Sequence, residues 1–191
     1  MYYKINVKTF IRVPPSNFGK DTRNIILNIL NEQFQNYISE RLGIVIGVLD
    51  VQETGEGVII PGDGAAYHET KFTLLTFKPE VQEIVLGNVS EITDFGAFLD
   101  LGAIEGMIHV SQTMDDFVSF SKSNVLTGKE SKKVLKVNDK CRARIIAVSF
   151  KDLANPKVGL TMRQPFLGAI NWIEEEIKSN SKVIEEKQSK K

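Results

Sequence analysis

Residues 87–111 read GNVSEITDFGAFLDLGAIEGMIHVS. With the two residues before it, the stretch falls into three short β-rich runs, VLGNVSEI (85–92), GAFLDL (96–101) and EGMIHV (105–110). Each alternates or is β-branched, and each is broken off by Gly or Asp, which is the pattern of strands joined by tight turns. Gly96 lies between Phe95 and Phe98, where a missing side chain lets a strand bend sharply. Phe95, Phe98 and His109 can then project from neighbouring strands onto one surface, as two flat rings and an imidazole. Such a surface suits unpaired bases, since every base has a stackable face. Pattern alone leaves a second reading open, in which both rings are core and His109 is a satisfied polar group.

The run G-x-V-x-x-I-x-D-F-G-A-F-L-D-L, followed by E-G-M-I-H-V-S, resembles the S1-type RNA-binding domain, a five-stranded barrel of the OB class. The resemblance implies that Phe95, Phe98 and His109 line an RNA face. It also implies that Lys157, at the start of the last barrel strand, helps hold the backbone. The family often has Arg at that position, and Lys keeps the charge without the bidentate geometry.

The chain has 191 residues, 42% hydrophobic and 25% charged, which suits one large or two small globular domains. Lys plus Arg equals Asp plus Glu at 24 each, so net charge does not mark a nucleic-acid binder. The charges are segregated, however. Residues 82–121 carry seven acidic side chains and no Lys or Arg, whereas residues 122–144 carry eight basic and two acidic ones. A domain built from these segments is expected to have one face that attracts phosphate, with Arg142, Arg144 and Lys157, and also Lys132 and Lys133, as contributors. The lone Cys141 rules out a disulfide within the chain, and the sequence holds no metal-ligand cluster and no apolar run of membrane-spanning length. The expectation is a cytoplasmic protein with no membrane contact, no metal and no cofactor.

Residues 2–13 alternate, as a half-buried strand does, and Pro14-Pro15 ends them. Asp21 is a helix N-cap candidate, and apolar residues at helical spacing predict a helix over 22–42, stopped by a left-handed Gly43. Runs at 44–51, 57–60 and 67–77 predict three more strands. Between them lie glycine-rich turns at Gly55, Gly57, Gly62, Asp63 and Gly64, which lack the Lys and following helix of a phosphate-cradling loop. The fold class is therefore an α+β N-terminal domain (β-α-β-β-β, helix on an antiparallel sheet) over residues 1–80, then an all-β five-stranded OB-fold barrel over 81–163. Residues 164–191 supply a C-terminal helix opening at Pro165, with Phe166, Ile170, Ile173 and Ile177 on one face, and then a charged, disordered tail. Trp172 is expected to pack, and the long polar segment 113–138 to be partly structured.

The opening Y-K-I-N-V-x-T-F-I-R-V-P-P-x-x-F-G, the G-D-G-A-x-Y-H segment and the closing L-T-M-R-Q-P-F-L-G together resemble the stalk subunits of archaeal RNA polymerase, the E-prime class, counterparts of the seventh subunit of eukaryotic RNA polymerase II. The resemblance implies a non-catalytic protein that forms a heterodimer with a small helical stalk partner of the E-double-prime class. It implies docking of the first domain's tip on the polymerase core, with Gly55, Gly57, Gly62, Asp63 and Gly64 as contacts. It also implies that the barrel meets nascent single-stranded RNA and supports initiation, elongation and termination. A free S1-type module of RNA decay or translation, or a structural bridge with buried aromatics, are the other readings.

Overall fold

The structure, a computed structural model, describes residues 1–178 apart from 36, 122, 123 and 154. The chain forms two compact units, Met1–Lys78 and the chain from Pro79 onward. The tail expected from Ser179, and Lys122 of the basic segment, lie outside the described residues.

In the first unit, β1 (Tyr2–Val13), α1 (Thr22–Phe34), β2 (Ile38–Ser39), β3 (Gly43–Ile59) and β4 (Ala66–Phe77) follow in order. The sheet runs β1-β4-β3-β2 and is antiparallel throughout. One face of β4 packs Phe72 and Leu74 against Ile26 and Leu30 of α1, all fully buried, with Ile11, Val13, Val45 and Val51 completing the core. Asp21 caps α1 by accepting from the Arg23 amide at 3.1 Å.

Two expectations for this unit are corrected. The helix ends at Phe34, not near residue 42. Ile38 and Ser39 pair instead with Ile44 and Gly43 in a small hairpin, the Leu42 amide donating to Ser39 Oγ at 3.1 Å. Gly43 has the expected left-handed φ of 77°, but it opens β3, where a Cβ would collide with the Phe77 carbonyl. The strands expected at 44–51 and 57–60 are one long strand, β3, whose register against β4 shifts between Thr54 and Gly57. Bulges absorb the extra residues, so a single hairpin turn remains, at 60–65.

The second unit contains β5 (Ile84–Ile92), β6 (Gly96–Asp100), β7 (Glu105–His109), β8 (Val118–Ser121), β9 (Val125–Gly128), β10 (Val134–Leu135), β11 (Lys140–Ser149), β12 (Lys157–Thr161) and β13 (Gly168–Ala169). The sheet β12-β7-β6-β5-β11 closes because β12 also pairs with β11, giving a five-stranded barrel; β13 is attached to β11. Val89, Ala97, Leu99, Ile108, Ala143, Ile145, Val158 and Leu160 fill it. The segment after Thr113 is a separate three-stranded sheet, β10-β9-β8, whose Leu126 and Leu135 are buried with the barrel core.

Residues 170–178 form helix α2, entered through β13 rather than directly from Pro165. Phe166 (φ 60°) and Ile177 are exposed; Leu167, Ala169, Trp172 and Ile173 are the buried residues. Trp172 packs, as expected, into the barrel cluster. Leu30→Ala should destabilise the first unit, and Leu99→Ala the second, each by about 2–5 kcal/mol in denaturant unfolding, the cost of emptying a filled core site.

Candidate nucleic-acid interface

Side chains alternate along a strand, so packing Ala97, Leu99, Ile108, Val158 and Leu160 inward turns Phe98, Met107, His109, Lys157 and Gly159 outward. Pairing sets these outward positions side by side: Phe98 opposite Met107, Gly96 opposite His109, and β12 parallel to β7 with Val158 at Gly106. Together with Ile146, exposed at a bulge in β11, they line an open groove of about 700 Å³. Close approach of β6 and β7 depends on Gly96, where a Cβ would meet the Ile108 carbonyl.

Phe95 is 47% exposed and stands edge-to-face on Phe98, centroids 6.1 Å apart at 87°. The pair thus leaves one ring free to stack on a base. His109 Nδ1 lies 2.8 Å from Ser111 Oγ and accepts from the Ser111 amide at 3.3 Å. A backbone N–H only donates, so the proton of the neutral ring resides on Nε2. Phe98, His109 and Lys157 are therefore brought into one groove, with Phe95 beside them.

Arg142 and Arg144 are not among its lining residues. They sit on β11 opposite Leu86 and Ile84, Arg142 donating to the Phe166 carbonyl and Arg144 to Gln82 Oε1, both at 3.5 Å. Lys133 is engaged elsewhere, 2.6 Å from Glu176 and 5.6 Å from the Trp172 ring centroid, and so fastens the small sheet to α2. Lys132 sits in the turn before β10 with φ 54°. Gln112 and Ile146 also line the groove, and sequence reasoning does not single them out. Gln112 follows the His109-Val110-Ser111 run directly, but no spacing rule marks it.

In the first unit the glycines separate. Gly55 and Gly57 lie inside β3: the Gly55 carbonyl accepts from His68 Nδ1 at 3.0 Å, and the His68 ring covers Gly57 so closely that a Cβ would lie 2.8 Å from it. Gly62 (φ 97°) and Gly64 (φ 69°) shape the turn and have open space around them. Asp63 between them is clamped. Arg12 of β1 donates to both its oxygens, Nη2 at 2.6 Å and Nε at 2.9 Å, and the Tyr67 hydroxyl donates to Oδ2. Hydrogen bonds from Arg12, then from Tyr67, hold the Asp63 carboxyl down at about 2. What the turn exposes is apolar: Val58, Ile59 (60% exposed) and Ile60 lead into it, and Phe10 is exposed on β1. An Ile-Ile pair running into Pro-Gly is the sequence signal for this patch.

Comparison with known proteins places both units. Residues 8–64 match the family described as "SHS2 domain found in N terminus of Rpb7p/Rpc25p/MJ0397", and residues 78–151 match the S1 RNA binding domain. The chain is 41% identical over 175 residues to DNA-directed RNA polymerase subunit Rpo7 of Saccharolobus solfataricus, covering 91% of this chain and 97% of that one. It is 37% identical over 183 residues to Rpo7 of Sulfolobus acidocaldarius, covering 95% and 100%. Subunit RPC8 of RNA polymerase III from Saccharomyces cerevisiae is 32% identical over 158 residues, covering 80% and 74%.

The Asp63 clamp has a defined pH dependence. Its carboxyl titrates at about 2 in the folded chain and near 4 when unfolded, so its contribution is present above pH ~4 and is lost as pH falls through about 2. A titration followed by Tyr67 and Arg12 side-chain resonances should show a midpoint near 2 that Asp63→Asn abolishes.

Proposed function

We propose that this chain, which belongs to the Rpo7 family of DNA-directed RNA polymerase subunits, serves the polymerase stalk by carrying nascent single-stranded RNA on the groove of its barrel. The observation that carries the reading is the half-exposed Phe95 ring on Phe98, set beside His109 and Lys157. Stacking contributes ~1–3 kcal/mol per base with little choice among bases. Lys157 adds an attraction to phosphate that salt screens. Exposure of Phe95 also favours this reading over a bridge in which both rings are buried.

The first unit is the docking part of the proposal. Val58, Ile59 and Ile60 are exposed at the end of the β3–β4 hairpin, where water contact is unfavourable unless a partner covers them. Gly62 and Gly64 let a partner's backbone come close, and Asp63 holds the turn to β1 rather than reaching outward. The occupant is the polymerase core, with a small helical second stalk protein completing the pair. In this assignment the chain supplies no catalytic group. It supports initiation, elongation and termination by holding RNA and by bracing the core, and it works in the cytoplasm, where an archaeal genome is transcribed.

RNA crosslinking by the chain paired with its helical partner tests the RNA face. Phe98→Ala should lower crosslinking about tenfold or more while leaving folding and pairing intact, and raising salt should weaken the wild type. Unchanged crosslinking in Phe98→Ala would place the RNA elsewhere. Docking is tested separately: Ile59→Asp should lower incorporation into polymerase without changing RNA binding.

A further inference from the structure

At the His109 end of the groove two polar side chains, His109 and Gln112, line the wall, and both are held by their neighbours as hydrogen-bond donors. For His109 the Ser111 amide occupies Nδ1, leaving Nε2–H. For Gln112 the orientation is set by a relay. The Arg163 amide donates to Thr161 Oγ1 at 3.3 Å, and the buried hydroxyl donates its own proton to Gln112 Oε1 at 2.8 Å. With its oxygen accepting from Thr161, Gln112 lines the groove with an NH2 group that has no hydrogen-bond partner among the described residues. Of the acceptor-bearing side chains that line the groove, Glu105 stands at the other end of β7, about 13 Å away along the strand, and Asn155 lies just before β12.

We propose that Gln112, oriented by Thr161 and assisted by His109, selects the keto bases of RNA over the amino bases at this end of the groove. Uracil O4 and guanine O6 accept from a fixed N–H. Cytosine N4 and adenine N6 bring an amino group to the same place, where donor meets donor and an N–H is left unpaired. Gln112 is the specificity-determining residue and Thr161 a positioning residue. The selectivity is modest, because one hydrogen bond adds to stacking that accepts any base. The inference rests on the RNA-face reading above.

The test compares U12 with C12, two pyrimidines of nearly equal stacking size, by fluorescence anisotropy on the full-length chain at fixed salt. Wild type should bind U12 about threefold to tenfold more tightly than C12. Gln112→Glu keeps the Thr161 bond but turns an acceptor to the groove, so the preference should narrow or invert; Gln112→Leu should equalise the two RNAs. Thr161→Val, which lets the amide turn over, should also reduce selectivity, with thermal unfolding reporting whether the fold is retained. Equal wild-type binding of U12 and C12, with Phe98→Ala still weakening both, would overturn the selectivity while leaving the RNA face standing. Indifference of both RNAs to Phe98→Ala would overturn the RNA face and the inference together.

Discussion

Closure of the barrel by β12 is the constraint on which the second unit depends. β12 bonds on one side to β7, in parallel, and on the other to β11, antiparallel. An open sheet of these strands would leave two rows of unpaired backbone groups. Once the sheet is closed, the interior has room only for side chains, and Val89, Leu99, Ile108, Ile145 and Leu160 take it. The period of two then leaves no choice for the alternate positions. Phe98, Met107, His109 and Lys157 must face outward, and the same pairing that closes the barrel sets them side by side. The groove is the outer surface of the seam that shuts the core.

Around this barrel, charged groups serve shape as much as recognition. Lys133 spans from the small β10-β9-β8 sheet to Glu176 and Trp172, so a lysine from the most basic part of the sequence acts as a fastener. Asp116 does similar work inside that sheet, accepting from the amides of Phe117, Glu130 and Ser131, which hold its carboxyl below the usual carboxylate range. The first unit repeats the theme: Arg12, Asp63 and Tyr67 tie the hairpin turn to β1, while the apolar residues beside it stay exposed. Counting charges along the chain finds where basic residues are dense, but it does not say which of them face solvent unpaired.

Much of this is legible in the sequence. The strands at 2–13 and 67–77, the N-cap at Asp21, the barrel strands and the packing of Trp172 follow from alternation, capping chemistry and the run around Phe95 to His109. Spacing predicts too long a helix because Tyr37 and Ile38 continue its apolar period, and spacing cannot register that a hairpin with Gly43 satisfies them better. Gly55 and Gly57 read as a turn because glycine favours turns, yet both lie in β3, where Gly57 gives the His68 ring room and the Gly55 carbonyl accepts from it. Each miss is a case of strand pairing overriding single-residue preference.

By itself, then, the sequence determined β1, β4 and the barrel strands, and that Phe95, Phe98 and His109 belong to one motif of the S1 kind, because these depend on residue type and short spacing. Only the tertiary structure decided that Lys157 shares their groove while Arg142 and Arg144 do not, that Asp63 is spent on Arg12, and which way the Gln112 amide points. Those outcomes rest on strand register and on hydrogen bonds between residues far apart in the chain, such as Gln112 and Thr161, separated by 49. No local pattern encodes them, since a donor's partner is fixed only when folding brings it within reach.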